Sequence, residues 1–144
     1  MKIAIGNDHV GVELKRHLTD YLTQKGHEVV NFGTDDTASN HYPIFAQKVA
    51  NAVVGGDCAR GILICGTGLG ISIAANKVKG IRCGLCTSTE MAEMTRKHND
   101  ANMLALGGRT TDRDLALEIT KVWLETEFEG GRHKRRTDML DAMP

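Results

Sequence analysis

The 144-residue sequence is poor in aromatic residues, with one Trp, two Tyr and three Phe. Its hydrophobic core must therefore be built mainly from aliphatic side chains. Only two prolines interrupt the chain, and no apolar run approaches the roughly 20 residues that a transmembrane helix needs. The apolar stretch within residues 1–9 is too short for a signal peptide. These absences favour a globular fold and argue against a membrane or secreted protein.

The sequence also lacks an excess of either charge, because 18 Lys and Arg residues balance 18 Asp and Glu residues. No overall field draws such a chain to nucleic acid or to an anionic membrane surface. We therefore expect neither of them as a partner.

The four cysteines, at positions 58, 65, 83 and 86, lie in or beside apolar segments. This placement is typical of reduced thiols, so we expect a cytoplasmic protein rather than a disulfide-stabilised one. Cys83 and Cys86 have the spacing of a zinc pair, but they fall within a predicted strand. Their side chains would then point to opposite faces, and no second pair follows. The sequence predicts no metal site.

Short apolar runs alternate with segments of helical periodicity along the whole chain. We predict five strands, at residues 2–6, 27–33, 61–65, 81–86 and 102–108. Apolar spacing predicts a helix after each of them, at 10–25, 43–54, about 69–78, 88–98 and from 112 or 114 onward. The Gly-broken basic tail ends in a segment long enough for only a short helix.

This alternation predicts the fold, because successive parallel strands need helical crossovers. We expect one α/β domain over residues 1–144: a three-layer α/β/α sandwich around a doubly wound, five-stranded parallel sheet, Rossmann-like in character. In such sheets ligands bind beyond the carboxyl ends of the strands. Candidate site residues should therefore follow Gly6, Ile64, Cys86 and Leu106.

The stretch CGTGLG at 65–70 follows the third strand and leads into a helix. Such a loop presents backbone N–H groups and the positive end of a helix dipole, which suits an anion. The same glycines are equally expected in a tight turn that binds nothing. Dinucleotide and phosphatase loops are excluded, because Ile71 stands where they require glycine or arginine. The Gly-Lys-Ser/Thr of a nucleotide P-loop is also missing.

Cys65 stands at the start of this loop. Among N–H donors at a helix N-terminus, its thiol is predicted to have a lowered pKa and to be able to act as a base or a nucleophile. The alternative is a small buried hydrophobic residue that closes the strand, which is the commoner fate of cysteine.

Charged side chains also lie at the ends of other predicted strands and helices. Asp8 and His9 follow the first strand, and Arg109 follows the fifth. Arg132 and Arg136 are four residues apart, so a helix would place both guanidiniums on one side, where they match the oxygens of a phosphate. Each of these residues also has a possible structural role that involves no ligand. Asp8 could cap a helix, His98 could interact with a helix dipole, and the basic cluster could be a solvated surface.

Five motifs together resemble the ribose-5-phosphate isomerase type B family, which also contains galactose-6-phosphate and allose-6-phosphate isomerases. They are GNDHVG at 6–11, YP at 42–43, GILICGTGLGISIAANK at 61–77, RKHNDANMLALGGR at 96–109 and EGGRHKRR at 129–136. The resemblance implies an aldose–ketose isomerase that converts ribose 5-phosphate and ribulose 5-phosphate through an enediol(ate). It implies no cofactor and no metal.

The resemblance also implies roles for individual residues. Cys65 is the expected catalytic base and His98 the residue that assists ring opening, with Thr67 and Asp8 as further catalytic residues. The expected substrate-binding residues are Asp8, His9, Gly66, Thr67, Gly68, Leu69, Gly70, Asn99, Arg109, Arg132 and Arg136. Relatives are homodimers or homotetramers with shared active sites, so residues from about 130 to 144 are expected to complete the site or the oligomer.

Two other functions stay open. One is isomerisation of a six-carbon sugar, allose 6-phosphate or galactose 6-phosphate, since His41 stands where relatives often have an acid. The galactose enzymes are built from two unlike chains, whereas here one chain holds every motif. The other is a phosphate- or nucleotide-binding sensor. Such a module would need the glycine loop and the arginines but would have no use for Cys65 and His98.

Overall fold

The computed structural model describes residues 1–144, and its centre is a sheet of five parallel strands. The strands are β1 (Lys2–Asn7), β2 (Glu28–Asn31), β3 (Arg60–Cys65), β4 (Cys83–Leu85) and β5 (Met103–Gly107). Their order across the sheet is β2-β1-β3-β5-β4. The predicted five-stranded parallel sheet is confirmed.

Six helices accompany the strands: α1 (Val12–Gln24), α2 (Tyr42–Val54), α3 (Leu69–Asn76), α4 (Thr89–Asn99), α5 (Arg113–Glu125) and α6 (Arg132–Ala142). A single 3-10 turn, His9–Gly11, precedes α1. The last helix is longer than expected, at 11 residues. It is stabilised because His133 and Thr137, one turn apart, are both buried, while Lys134 and Asp138 form an ion pair on its outer side.

The sheet has an apolar core on each face, as alternation along a strand requires. On one face Ile62 and Ile64 pack with α1, α4 and α5 around the fully buried Trp123. On the other face Leu63 and Cys65 pack with α2 and α3. These two cores confirm the three-layer sandwich.

The same alternation separates the two cysteines with zinc-like spacing. Cys86 belongs to the core that contains Trp123, whereas Cys83 packs against the opposite core. Their sulfurs therefore lie on different faces of the sheet, as predicted. All four cysteines are free thiols.

Two helices have, at their N-terminal ends, the residues that were predicted to start them. The Ser88 side chain accepts a hydrogen bond from the N–H of Met91 and caps α4, and Pro43 lies in the first turn of α2. The strand predicted at 81–86 is shorter, because the N–H of Arg82 donates to the side chain of Asn102 rather than to a strand. None of the helices is both long enough and apolar enough to span a lipid bilayer.

Candidate active site

The loops that follow the three central strands meet at the carboxyl edge of the sheet. Parallel pairing places Asn7 beside Ile64 and Cys65 beside Gly107. Backbone hydrogen bonds then join the loops: Asp8 N–H donates to the carbonyl of Ile64 over 3.1 Å, and Gly108 N–H to that of Cys65 over 2.8 Å. This edge is where the fold was expected to place a site.

Cys65 is the last residue of β3 and lies between the apolar core and the glycine loop. Its side chain packs in the cluster that contains Leu63 and Ile71, and the residue is only 5 % exposed. Its Sγ atom nevertheless accepts a hydrogen bond from the N–H of Gly68 over 3.2 Å. The thiol therefore combines both interpretations made from the sequence, since it is buried and also faces an amide donor.

The loop packs tightly against the neighbouring strand. Gly68 has a φ of +79°, and a Cβ atom at this position would lie 2.9 Å from the carbonyl carbon of Leu106. Leu69 N–H donates to the Thr67 hydroxyl over 3.2 Å. The N–H groups of Gly66, Thr67 and Gly70 have no acceptor within the chain, so they are available to an oxyanion.

Asp8 and His9 stand beside this loop with different partners. Asp8 is 6 % exposed, and its Oδ1 accepts from Val10 N–H over 2.9 Å, which confirms the capping role. Its other carboxylate oxygen has no partner in the chain. His9 Nδ1 lies 3.3 Å from both the side-chain oxygen and the backbone nitrogen of Asn40. The loop before α2 therefore fixes the orientation of this imidazole.

Arg109 completes the group at the carboxyl edge. Its N–H donates to the carbonyl of Gly66 over 2.9 Å. Its guanidinium lies over the same glycine, because a Cβ atom there would be 3.6 Å from Nη1. A cation thus stands beside free amide donors, an arrangement that suits a phosphate or a developing oxyanion.

Tyr42 is a further member of this group to which sequence reasoning gave no role of its own. A Cβ atom on Gly70 would lie 2.6 Å from Cζ of the Tyr42 ring, so the ring rests directly on the first turn of α3. The Tyr-Pro motif was visible in the sequence. Nothing local indicates, however, that Tyr42 reaches a loop so distant along the chain.

His98 and Asn99 lie elsewhere. They end α4, which runs antiparallel to the strands and whose 11 residues span about 16 Å. Arg82, just before β4, donates from Nε to the carbonyl of Asn99 over 2.8 Å. The end of α4 is therefore at the amino edge of the sheet, opposite Cys65. Within one chain, the structure does not bring His98 and Cys65 together.

A second group of polar residues forms around His98. Its ring stacks on that of His133, with 4.2 Å between ring centroids and 14° between planes. Glu129 Oε1 lies 3.5 Å from His98 Nε2 and 3.9 Å from His133 Nε2. Burial, aided by the neighbouring His98 and Arg132, lowers the pKa of His133 and so favours its neutral form.

Arg132 and Arg136 belong to this second group. Both are in α6, which is helical throughout, so their spacing of four residues places them on one side, as predicted. Both are exposed, and both are close enough to contribute to the lowered pKa of His133. The phosphate-binding arginines expected from the sequence are thus divided, with Arg109 at one edge and this pair at the other.

The ligand atoms of His98, Glu129 and His133 all lie within 4.8 Å of one another. A metal ion must lie in the plane of each imidazole that binds it, at about 2.0–2.1 Å from the nitrogen. The two rings are stacked, however, so an ion between them would lie out of both planes. This arrangement suits hydrogen bonding to the carboxylate better than a shared metal.

The other cysteines have little capacity for thiolate chemistry. Burial raises the pKa of Cys83 and of Cys86 to about 12 in each case. Burial likewise raises the pKa of Cys58. None of the three has an amide donor to its sulfur, which distinguishes them from Cys65.

The chain is similar to known proteins over nearly its whole length. A family model described as Ribose/Galactose Isomerase matches residues 3–140. The chain belongs to this family. One relative, ribose-5-phosphate isomerase B of Escherichia coli K12, is 47 % identical over 142 residues, which cover 99 % of this chain and 95 % of that one. Another, D-erythrulose-4-phosphate isomerase of Pectobacterium atrosepticum, is 48 % identical over 132 residues, covering 91 % and 87 %.

Solved structures in the family have the same fold. Ribose-5-phosphate isomerase B of Clostridium thermocellum superposes with a TM-score of 0.97 at 57 % identity, covering 98 % of this chain and 95 % of that one. The enzyme of Thermotoga maritima superposes with a TM-score of 0.96 at 46 % identity, covering 99 % and 98 %.

Proposed function

We propose that this protein interconverts ribose 5-phosphate and ribulose 5-phosphate, with Cys65 as the base. The observation that carries the proposal is the Cys65 sulfur, which accepts a hydrogen bond from one amide of a loop in which the N–H groups of Gly66, Thr67 and Gly70 are free. Similarity to ribose-5-phosphate isomerases B over nearly the whole chain supports the choice of substrate. The four free thiols support a cytoplasmic location, where thiols stay reduced.

The isomerisation moves one proton between neighbouring carbons. The Cys65 thiolate takes the proton from C2 of the open-chain aldose, which leaves an enediolate with its negative charge on the C1 oxygen. The proton of the C2 hydroxyl passes to that oxygen, and Cys65 returns the carbon-bound proton to C1, which gives the ketose. The oxygen that gains negative charge needs donors already in place. The N–H groups of Gly66, Thr67 and Gly70 can supply them, and each good donor is worth roughly 3 kcal/mol, a factor of about a hundred in rate.

The phosphate of the substrate does not react, but it can orient the reacting carbons. Arg109 at the carboxyl edge, with Arg132 and Arg136 from the second group, would bind this dianion. Binding energy from such a remote group is used to align C1 and C2 with the base. Asn99 and His9 would contact the hydroxyl groups between the two ends.

Ribose 5-phosphate is a closed ring, so it must be opened before C2 can be deprotonated. His98 is suited to this proton transfer, assisted by Asp8. Since His98 and Cys65 are at opposite edges of the sheet, we infer that the His98 of a second subunit reaches the Cys65 loop. Each active site would then be shared between two chains of a homodimer, or of a homotetramer built from such dimers.

The surface beside the loop supports this assembly. Leu69 and Ile73 are four residues apart at the start of α3, so they share one side of the helix, and they are 54 % and 61 % exposed. Exposed apolar side chains that adjoin a polar site are typical of a subunit interface. The C-terminal segment, which carries Arg132 and Arg136, would complete the partner's site.

The chain length of the sugar is the least constrained part of the proposal. The Pectobacterium relative is named for a four-carbon sugar phosphate and is as similar to this chain as the Escherichia coli ribose enzyme. Isomerisation of erythrulose 4-phosphate is therefore a second candidate, alongside the six-carbon phosphates of allose and galactose.

Turnover of the four sugar phosphates by the purified chain, side by side, tests the proposal. We expect the highest kcat/KM for ribose 5-phosphate. A higher kcat/KM for erythrulose 4-phosphate or for a six-carbon phosphate would reassign the substrate while keeping the reaction. No isomerisation of any of them, together with tight binding of a phosphorylated ligand, would favour the sensor.

A further inference from the structure

The His133 side chain has a polar atom with no partner. His133 is 5 % exposed, and its Nε2 is buried without a hydrogen bond. A buried polar atom left unpaired is destabilising, so a position of this kind needs a compensating role. The only acidic group near that nitrogen is the carboxylate of Glu129, 3.9 Å away.

Glu129 is held in place by the helix that carries His98. Its backbone N–H donates to the carbonyl of Lys97, the residue before His98, over 3.1 Å. Its Oε1 lies 3.5 Å from His98 Nε2, and the stacked ring of His133 closes the other side of the imidazole. His98 is thus contacted by a carboxylate at its edge and by an aromatic ring on its face.

We propose that Glu129 and His133 are positioning residues, which hold the His98 imidazole with its proton on Nε2 and leave Nδ1 free to open the sugar ring. This inference rests on the function proposed above. It gives roles to two residues of the EGGRHKRR motif to which the sequence assigned no role of their own.

The arrangement fits the proton transfers of ring opening. Nδ1 takes the proton from the C1 hydroxyl while the bond between C1 and the ring oxygen breaks, which forms the aldehyde. The imidazolium then gives that proton to the former ring oxygen. Glu129 stabilises the imidazolium between these two steps, and His133, whose neutral form is favoured, adds no opposing charge.

Two substrates separate ring opening from isomerisation. Ribose 5-phosphate is cyclic. Ribulose 5-phosphate is open-chain, because the hydroxyl that would close its five-membered ring carries the phosphate. Consumption of ribose 5-phosphate therefore needs ring opening, whereas exchange of the C1 hydrogen of ribulose 5-phosphate with D2O does not. A residue that acts only through His98 should affect the first rate and spare the second.

The test compares Glu129→Gln and His133→Phe with the control Glu127→Gln, which removes an exposed carboxylate without an ion pair. We expect both variants to consume ribose 5-phosphate about 10–100-fold more slowly, less than the roughly 10²–10⁴-fold contribution of general acid–base catalysis, because His98 itself remains. The exchange rate with ribulose 5-phosphate and the control variant should be unchanged. Normal consumption of ribose 5-phosphate, or an equal loss of both rates, would overturn the inference.

His98→Asn distinguishes this inference from the proposed function. If it leaves consumption of ribose 5-phosphate unchanged, the role of His98 is wrong and the inference falls with it. If it slows consumption while both positioning variants are normal, only the inference is wrong. Imidazole nitrogen NMR provides a readout that does not depend on how the variants fold. We expect wild-type His98 protonated on Nε2, and a proton on Nδ1 alone would contradict the inference.

Discussion

The backbone N–H of Gly68 donates a hydrogen bond to the Sγ atom of Cys65 over 3.2 Å. This contact depends on the loop geometry, because Gly68 has a φ of +79° and lies against the backbone of Leu106. The glycine lets the chain turn back towards the sulfur, and the N–H it presents stabilises negative charge there. The thiol and the glycine loop therefore form one structural unit.

Gly68→Ala should disrupt this unit. An added Cβ would lie 2.6 Å from Leu85 and 2.9 Å from the Leu106 carbonyl carbon, in a backbone conformation that L-residues rarely adopt. We expect a loss of about 1–3 kcal/mol in the free energy of unfolding, measured with urea, and a fall in kcat. Gly26→Ala is the control, with a φ of +89° but nothing near its Cβ. Equal stability losses in both variants, or full turnover in Gly68→Ala, would contradict this account.

Arg136→Ala tests the binding of phosphate by α6. We expect KM for ribose 5-phosphate to rise about 10–100-fold, because a charge-assisted hydrogen bond contributes about 1.5–3 kcal/mol, while kcat changes little. Arg135→Ala removes the same charge from the next residue, which is exposed and has no ion pair. An unchanged KM in Arg136→Ala, or the same rise in both variants, would argue against a specific phosphate contact.

Alkylation by iodoacetamide should distinguish Cys65 from the other cysteines. With a pKa raised to about 12, Cys83 and Cys86 stay protonated at pH 8, with roughly one thiolate in ten thousand. Their reactivity should rise only as the pH approaches 12. We expect inactivation at pH 8 to follow modification of Cys65 and to be slowed by substrate, in wild type and in Cys83→Ser alike. Peptide mass spectrometry that finds Cys83 modified first would contradict this.

Mixing two inactive variants tests the shared site. In a shared site, Cys65 comes from one chain and His98 from the other. A dimer of one Cys65→Ala chain and one His98→Asn chain therefore contains one site with both changes and one site with neither. After the subunits are exchanged by mild denaturation and refolding, we expect activity to return to about a quarter of wild type for a random 1:1 mixture, since half of the dimers are mixed. No recovery would show that both residues act within one chain.

The fold could be predicted from the sequence because its signals are local. Runs such as Ile62 to Ile64 predict buried strands, and glycine, serine and proline mark the ends of helices. The strand order could not be predicted in this way, since it depends on pairing between distant segments. The fourth strand was predicted, but its shorter length was not, because the N–H of Arg82 donates to the side chain of Asn102, twenty residues away.

The candidate site could be predicted only in part. Asp8, Cys65 and Arg109 lie at or just after the ends of strands, and the structure brings them together as the crevice rule requires. His98 lies in the last turn of α4 instead, and a crossover helix returns its last turn to the opposite edge of the sheet. The helical pattern that places His98 in this last turn was present in the sequence. Glu129 and His133 belong to the EGGRHKRR motif, but their individual roles could not be predicted, because these depend on the packing of α6 against α4.

The most direct test of the central claim measures exchange of the C1 hydrogen of ribulose 5-phosphate with D2O in Cys65→Ala. If Cys65 moves the proton between the two carbons, exchange should fall at least about a hundredfold, the lower bound for general base catalysis. The variant should still fold and bind the sugar phosphate, as thermal unfolding and calorimetry would report. Exchange close to the wild-type rate in a folded variant would show that another group is the base.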